Sequence, residues 1–395
     1  MSWLTQIGAV TWLNVRTIPQ RLSSSAVAVV GIAGVVIVFV GVLSMAEGFF
    51  AAMRDAGSPN RALVMRSGAD TEMTSGLAGP ETDIIKQAPG VLRDGPRGVA
   101  SAELLVLIDL PKKSTLTPAN VPLRGVEPAT FRVRDEAKIV EGRMLQFGTN
   151  EIVVGRAAVR QFAGLTLGSH VKSGQAPWTV VGIFESGGSA AETELWCDAH
   201  LLQGAYRRGN SYQSVLARLD SPASYNAFKD WLTSNPQVNV SVRPEVEYYT
   251  QQSTTITAII RTVGFGIAVL MGVGAVFGAI LTMYTAVATR SREIATLRAL
   301  GFNTLSVLIS VLAESLALAA VGGVFGGLVA YLGFNGFQTS TMNWQTFSQV
   351  AFAFRVTPRL LTQGVVYALI MGLVGGLLPA VRAARLPIVS ALREL

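Results

Sequence analysis

Four stretches of this 395-residue chain are apolar for long enough to cross a bilayer, and nothing else constrains its fold so strongly. Residues 26–45 (AVAVVGIAGVVIVFVGVLSM) carry no charge. As a helix rising 1.5 Å per residue they would be about 30 Å long, the thickness of the hydrocarbon core. Residues 263–288 are uncharged and rich in glycine, 305–332 hold the single ionisable residue Glu314, and 360–381 are uncharged with Pro379 near the end. Each exceeds the roughly 18 residues that mark a spanning helix. A secretory signal would use a shorter apolar core, about 7–15 residues, so the first run is read as a retained helix.

Charge divides the chain the same way. Residues 48–255 contain 21 Lys plus Arg and 21 Asp plus Glu, whereas the rest has 11 arginines and only Glu47, Glu293, Glu314 and Glu394. The middle block therefore reads as a water-exposed domain and the remainder as membrane. The net charge of +7 comes wholly from arginines beside apolar spans. That pattern fits a membrane orientation signal and argues against a nucleic-acid partner. Arg16 and Arg21, then Arg290, Arg292 and Arg298, then Arg382, Arg385 and Arg393 flank the spans. By the positive-inside rule these segments face the cytoplasm, with both termini inside.

The expected organisation is an α-helical membrane protein with four transmembrane helices, one before and three after a large mixed α/β extracytoplasmic domain. The segments are an interfacial amphipathic helix at 1–25 (Trp3, Ile7, Val10 and Leu13 near one face), a span at 26–47 and the outer domain at 48–255. Then follow a span at 256–289, a cytoplasmic segment at 290–304, a span at 305–332, an outer loop at 333–359, a span at 360–381 and a tail at 382–395. Within the outer domain, strands are expected at 103–110, 151–155 and 178–184, with a helix at 157–163. A strand–helix–strand follows at 214–219, 222–232 and 238–242.

Catalytic chemistry finds little material here. Cys197 stands alone and His170 and His200 are the only histidines, so no metal cage or acid/base centre is expected. HExxH and nucleophile-elbow motifs are absent, and Gly187-Gly188 reads as a turn. No Gly-Lys dipeptide occurs, hence no Walker A loop in these residues.

Residues 290–301 have the composition of a short amphipathic helix. Ile294, Leu297 and Leu300 fall on one apolar arc, and Arg290, Arg292, Glu293 and Arg298 supply charge. Such a helix can seat its ridge in a partner's groove, or lie on lipid headgroups as an orientation signal. Glu314 lies about 14 Å into its span, where a carboxylate needs a partner. Hydrogen bonding within the bundle or across a dimer is favoured over a proton relay, since no second acid or histidine lies in the spans. Gly322, Gly323, Gly326 and Gly327 form two overlapping GxxxG patterns suited to close helix contact, within one subunit or between two.

The segment RSREIATLRALGF at 290–302 resembles the cytoplasmic loop of MacB/FtsX-type ABC transporter permeases. Leu123-Arg124-Gly125-Val126, Asn150 to Gly155 (NEIVVG), Val180 to Phe184 (VVGIF), Glu314 and the terminal PIVSALR at 387–393 agree with it in order. The resemblance implies a dimeric permease, with a second copy or related chain, served by cytoplasmic ATPase subunits that bind the ATP and magnesium. No cofactor is expected on this chain itself, which would be non-catalytic. An optional further partner is a periplasmic adaptor, and the location is the bacterial inner membrane. The resemblance also favours the docking reading of 290–301, assigning ATPase coupling to Arg290, Arg292, Glu293, Ile294, Leu297, Arg298, Leu300 and Gly301. The absence of a Walker A loop departs from the MacB subgroup and favours a separate ATPase, as in lipoprotein-release or DevC-like systems. Export or extraction of a peptide, lipoprotein, lipid or drug by mechanotransmission is the expected function. The alternatives are an FtsX-like regulator of an extracytoplasmic cell-wall enzyme and an ATP-independent membrane receptor.

Overall fold

A computed structural model describes residues 22–387 together with Gly8. The helix expected over residues 1–25 and the tail beyond residue 387, Arg393 included, lie essentially outside the described residues. Among the described residues, four long helices are apolar enough to cross a membrane: Leu22–Arg54, Glu245–Thr289, Thr304–Phe334 and Pro358–Ala384. They are called here the first to fourth long helices. Side-chain caps fix where two of them start. Asn303 accepts a hydrogen bond from the Leu305 amide (3.2 Å), and Thr357 accepts one from the Leu360 amide (3.3 Å) with Pro358 in the first turn. The chain divides into two compact units.

The membrane unit comprises residues 1–47, 259–337 and 354–395. Its core brings Ile32, Val36 and Val40 of the first helix against Ala319, Ala330, Ala368 and Met371 of the third and fourth. Small residues make the approach close. A Cβ on Gly326 would lie 2.7 Å from the Ala33 carbonyl oxygen, and one on Gly322 would lie 2.9 Å from that of Val29. On the neighbouring face of the same helix, Gly323 meets Ala368 and Gly327 meets Leu361. The double GxxxG pattern therefore packs two helices of its own chain onto neighbouring faces of the third helix, where contact and polarity replace hydrophobic drive. The Ser315 hydroxyl adds a bond to the Gly372 carbonyl (2.6 Å), and Tyr367 adds one to that of Ala268 (2.8 Å). The second helix differs: only 22% of its most apolar window is buried, against 44–50% in the others.

The outer unit comprises residues 48–258 and 338–353. A ten-stranded sheet runs in the order Val240–Pro244, Arg61–Arg66, Ser214–Arg218, Ala100–Pro111, Pro118–Val126, Leu195–Asp198, Glu151–Gly155, Ala176–Glu185, Lys138–Gly142, with His170–Ser173 paired to Ala176–Glu185. Pairing is antiparallel except at two places, where Pro118–Val126 lies parallel to Leu195–Asp198 and Glu151–Gly155 parallel to Ala176–Glu185. The expected strands are present, and the expected helix near residue 157 is Arg156–Gln161. Two expectations need correcting. The helix placed at 222–232 divides into a 3-10 turn, Pro222–Ser224, and a helix, Tyr225–Ser234. The loop placed at 333–359 contains an antiparallel hairpin, Gln338–Asn343 with Ser348–Ala353, and it belongs to the outer unit. Its first strand, QTSTMN, is too polar to signal burial locally; the surface it docks on supplies the order.

A buried charge cluster crosses the centre of this unit. Arg124 bonds Glu72 (2.8 Å), Glu103 (2.9 Å) and Glu194 (2.7 Å), and Arg134 completes Glu103 (2.5 and 2.9 Å). Ser214 donates to Glu72 and the Trp196 indole donates to Glu194. Burial alone would raise the Glu103 carboxyl, but the Arg134 and Arg124 guanidiniums outweigh it and hold the group below the ordinary carboxylate range.

Because the folded-state value for Glu103 lies below the unfolded one, its stabilisation is complete above the ordinary carboxylate range and is lost as pH falls through the folded value. Glu103→Gln leaves Arg134 and part of Arg124 buried without a counter-charge. It should destabilise the outer unit by about 3–5 kcal/mol. Chemical unfolding followed by the fluorescence of buried Trp178 and Trp196 checks this, with the parent's loss of stability below pH 4–5, roughly, blunted in the variant.

Candidate functional site

The second long helix ends at Thr289, and Arg290 turns the chain into a short helix, Ser291–Ala299. Arg290 is its N-cap residue, and its carbonyl accepts from the Ile294 amide (3.0 Å). At the other end the Phe302 amide reaches the Leu297 carbonyl (3.1 Å), while the Gly301 amide reaches that of Arg298 (3.1 Å). Gly301 has φ +92°, the left-handed geometry that this pair of bonds demands and that glycine adopts without strain. Asn303 then opens the third helix. The motif's Leu-Arg-Ala-Leu-Gly thus encodes a helix with a fixed stop.

Beneath this helix lies a buried ion pair. The Arg290 guanidinium, 6% exposed, meets Glu314 of the third helix at 3.2 Å and Glu293 at 3.1 Å. Glu314, itself 7% exposed, has its counter-charge within the chain. That answers the cost of a carboxylate in a span. A cavity of about 310 Å³ adjoins the pair, lined by Met283, Val287, Ile294, Leu297, Val307 and Val311 among others.

The expected coupling residues separate by direction. Arg290 points inward, and the reading of Ile294, Leu297 and Leu300 as a single outward ridge does not hold. Ile294 is buried against Met283, Val287, Val311 and Ala383, Leu297 lines the cavity, and Leu300 stands 72% exposed. The reason is geometric: the third and fourth helices come close enough to cover the start of the arc and leave its end bare. Arg298 also reaches inward, donating to the Leu386 carbonyl (2.5 Å). Arg292, Glu293, Thr296 and Leu300 remain on the exposed side. The linear sequence carries no sign of the Arg290–Glu314 partnership, since 24 residues separate the two. Another contact it does not announce places Arg382 over the Tyr284 ring, 5.2 Å from its centre. Among the described residues no group of three or more His, Cys, Asp and Glu could hold a metal ion.

The profile of the MacB-like periplasmic core domain matches residues 25–235, more than half of the chain, and that of the FtsX-like permease C-terminal region matches 265–388. The chain belongs to the MacB/FtsX-type ABC permease family. The macrolide export ATP-binding/permease protein MacB of Pasteurella multocida is 24% identical over 310 residues, covering 73% of this chain and 45% of that protein. The uncharacterised ABC transporter permease YknZ of Bacillus subtilis is 28% identical over 138 residues, covering 35% of this chain and 32% of that one. This permease-family chain thus spans less than half the length of these relatives. Among solved structures, the extracellular domain of YknZ from Gram-positive bacteria aligns over 47% of this chain and all of that one (16% identity, TM-score 0.36). The periplasmic region of MacB from Actinobacillus actinomycetemcomitans aligns over 49% and 93% (13% identity, TM-score 0.37). Family and apolar helices together make the chain a membrane protein of the bacterial inner membrane.

A buried pair is most sensitive to losing one member. Arg290→Met or Glu314→Met alone should lower the thermal stability of the detergent-solubilised chain more than the double substitution does. A double-mutant cycle should give a coupling of about 1–3 kcal/mol. Additive losses would show that the two side chains act independently.

Proposed function

We propose that this chain is the membrane-spanning, non-catalytic subunit of an ABC complex, in which a separate cytoplasmic ATPase works against the 290–301 segment. The observation that carries this reading is the construction of that segment. It is a helix stopped at both ends, locked to the third helix through Arg290 and Glu314, with Arg292, Glu293, Thr296 and Leu300 bare on its outer side. A short helix anchored below and open above is suited to receive a push and pass it into the bundle. Its exposed Leu300 suits an apolar groove on the partner. The name of the Pasteurella relative, an ATP-binding/permease protein, supports the link to ATP, although that protein joins the two activities in one chain where this reading divides them between two.

In this reading both termini and the 290–304 segment face the cytoplasm, as the arginine distribution favours. The outer unit is extracytoplasmic and moves as the ATPase cycles, exporting or extracting a peptide, lipoprotein, lipid or drug. A second permease copy completes the assembly. The second long helix offers it a face, since Leu270, Phe277 and Leu281 recur at helical spacing and are 63–75% exposed.

Leu300→Asp tests the docking directly, because an exposed side chain contributes little to folding. The chain should stay folded, while co-purification of the ATPase in mild detergent falls at least about tenfold, equivalent to roughly 1.4 kcal/mol of binding. Failure of any ATPase to accompany the tagged parent chain would remove the reading.

A further inference from the structure

Four chain crossings, not two, join the membrane unit to the outer unit. Beside the first and second long helices, the boundaries at 337/338 and 353/354 carry the chain from the third helix into the hairpin and back to the fourth. The hairpin is built into the outer unit. Asn343, Thr346, Ser348, Val350, Ala351 and Phe352 are all buried. The Asn343 side-chain amide donates to Gln252 Oε1 (2.9 Å), with both residues buried, and the Ala351 amide donates to Thr193 Oγ1 (2.9 Å). Asn120 donates to the Phe347 carbonyl (2.9 Å) at the turn, where Phe347 sits at φ +54°. Phe352 packs edge-to-face on Phe49 at 5.5 Å.

Two of these partners are telling. Phe49 lies near the end of the first long helix and Gln252 near the start of the second, so the hairpin is stitched to the outer-unit portions of both. An isolated two-stranded hairpin is marginal in water, and a mere link between helices would leave its backbone exposed. The leads are short and bonded as well. Three residues separate Phe334 from Gln338 and four separate Ala353 from Pro358. Within them Gly336 and Phe354 bond (2.9 Å), as do Phe354 and Phe337 (2.8 Å), and Asn335 accepts from the Val356 amide (3.1 Å).

We infer that the 338–353 hairpin is a strap that fastens the third and fourth helices to the outer unit, so that force applied at the 290–301 segment reaches that unit through all four helices. The strap rests on the coupling function proposed above. Helix three receives the load first in this scheme, since Arg290 grips Glu314, and a slack connection at its outer end would let the load dissipate. Asn343, Gln252, Thr193 and Phe352 are then positioning residues: they hold the strap in place and touch no substrate.

Slack separates a strap from a cover. Six-residue Gly/Ser inserts after Gly336 and after Phe354 lengthen both leads while leaving every docking residue intact. The readout, on the full chain with its ATPase in lipid nanodiscs, is the distance between spin labels at Leu167→Cys of the outer unit and Leu332→Cys of the third helix, with and without ATP. Both sites are exposed and Cys197 is buried, so labels go where they are placed. The parent should show an ATP-dependent shift and the slack variant should lose most of it, with ATP hydrolysis within about twofold of the parent. An undiminished shift in the slack variant overturns the strap alone. No shift in the parent overturns the coupling function, and the strap with it. Should the inserts undock the hairpin, seen as fast amide exchange at Ala351, Gln252→Ala serves instead, since it removes the partner of Asn343 without lengthening the chain. That variant must also reduce the shift, and an unchanged shift overturns the strap.

Discussion

A charge taken out of water must bring its counter-charge with it, and that constraint organises both units of this chain. In the outer unit, Arg124 gathers Glu72, Glu103 and Glu194 from segments distant in sequence, and Arg134 shares Glu103. In the membrane unit, Arg290 and Glu314 do the same on a smaller scale. Neither cluster is an efficient source of stability, since well-packed apolar groups would serve as well. What each supplies is uniqueness of arrangement, because any alternative packing would leave a buried ion alone.

The two clusters differ in what surrounds them. Arg124 and its partners sit among β-strands and aromatic rings, with Trp196 stacked on Phe184 at 4.2 Å and Arg134 lying 5.5 Å over the Trp196 ring. That is a place for rigidity. Arg290 and Glu314 border a cavity of about 310 Å³, and their helix is covered on one side only. A packed interior transmits displacement because it compresses little. In the proposed coupling, this asymmetry suits the short helix to receive the load and the outer unit to move as one body.

Much of this was legible in the residues, although unevenly. Residues 290–301 announced a short amphipathic helix, and the structure adds where it stops, at Gly301 with φ +92°. Glu314 announced its need for a partner, yet nothing in the spacing named Arg290. The apolar arc of Ile294, Leu297 and Leu300 looked continuous because periodicity sees one helix at a time; the neighbouring helices divide it into buried, half-buried and bare positions. The hairpin was the least legible element. Gln338, Thr339, Ser340 and Thr341 read as a solvated loop, and only the surface waiting for them makes that stretch a strand.

The sequence by itself determined that four helices are long and apolar enough to span a membrane, that a charge-balanced domain lies between the first two, and that a short amphipathic helix follows the second. Each of these follows from local sums: length times rise, apolar residues per window, charges per segment. Tertiary structure alone decided which glycines face which helix, that Arg290 answers Glu314, and that the hairpin is fastened to the outer unit. Those outcomes depend on which surfaces meet in space, and a side chain's neighbours across a packed interface leave no periodic trace along the chain.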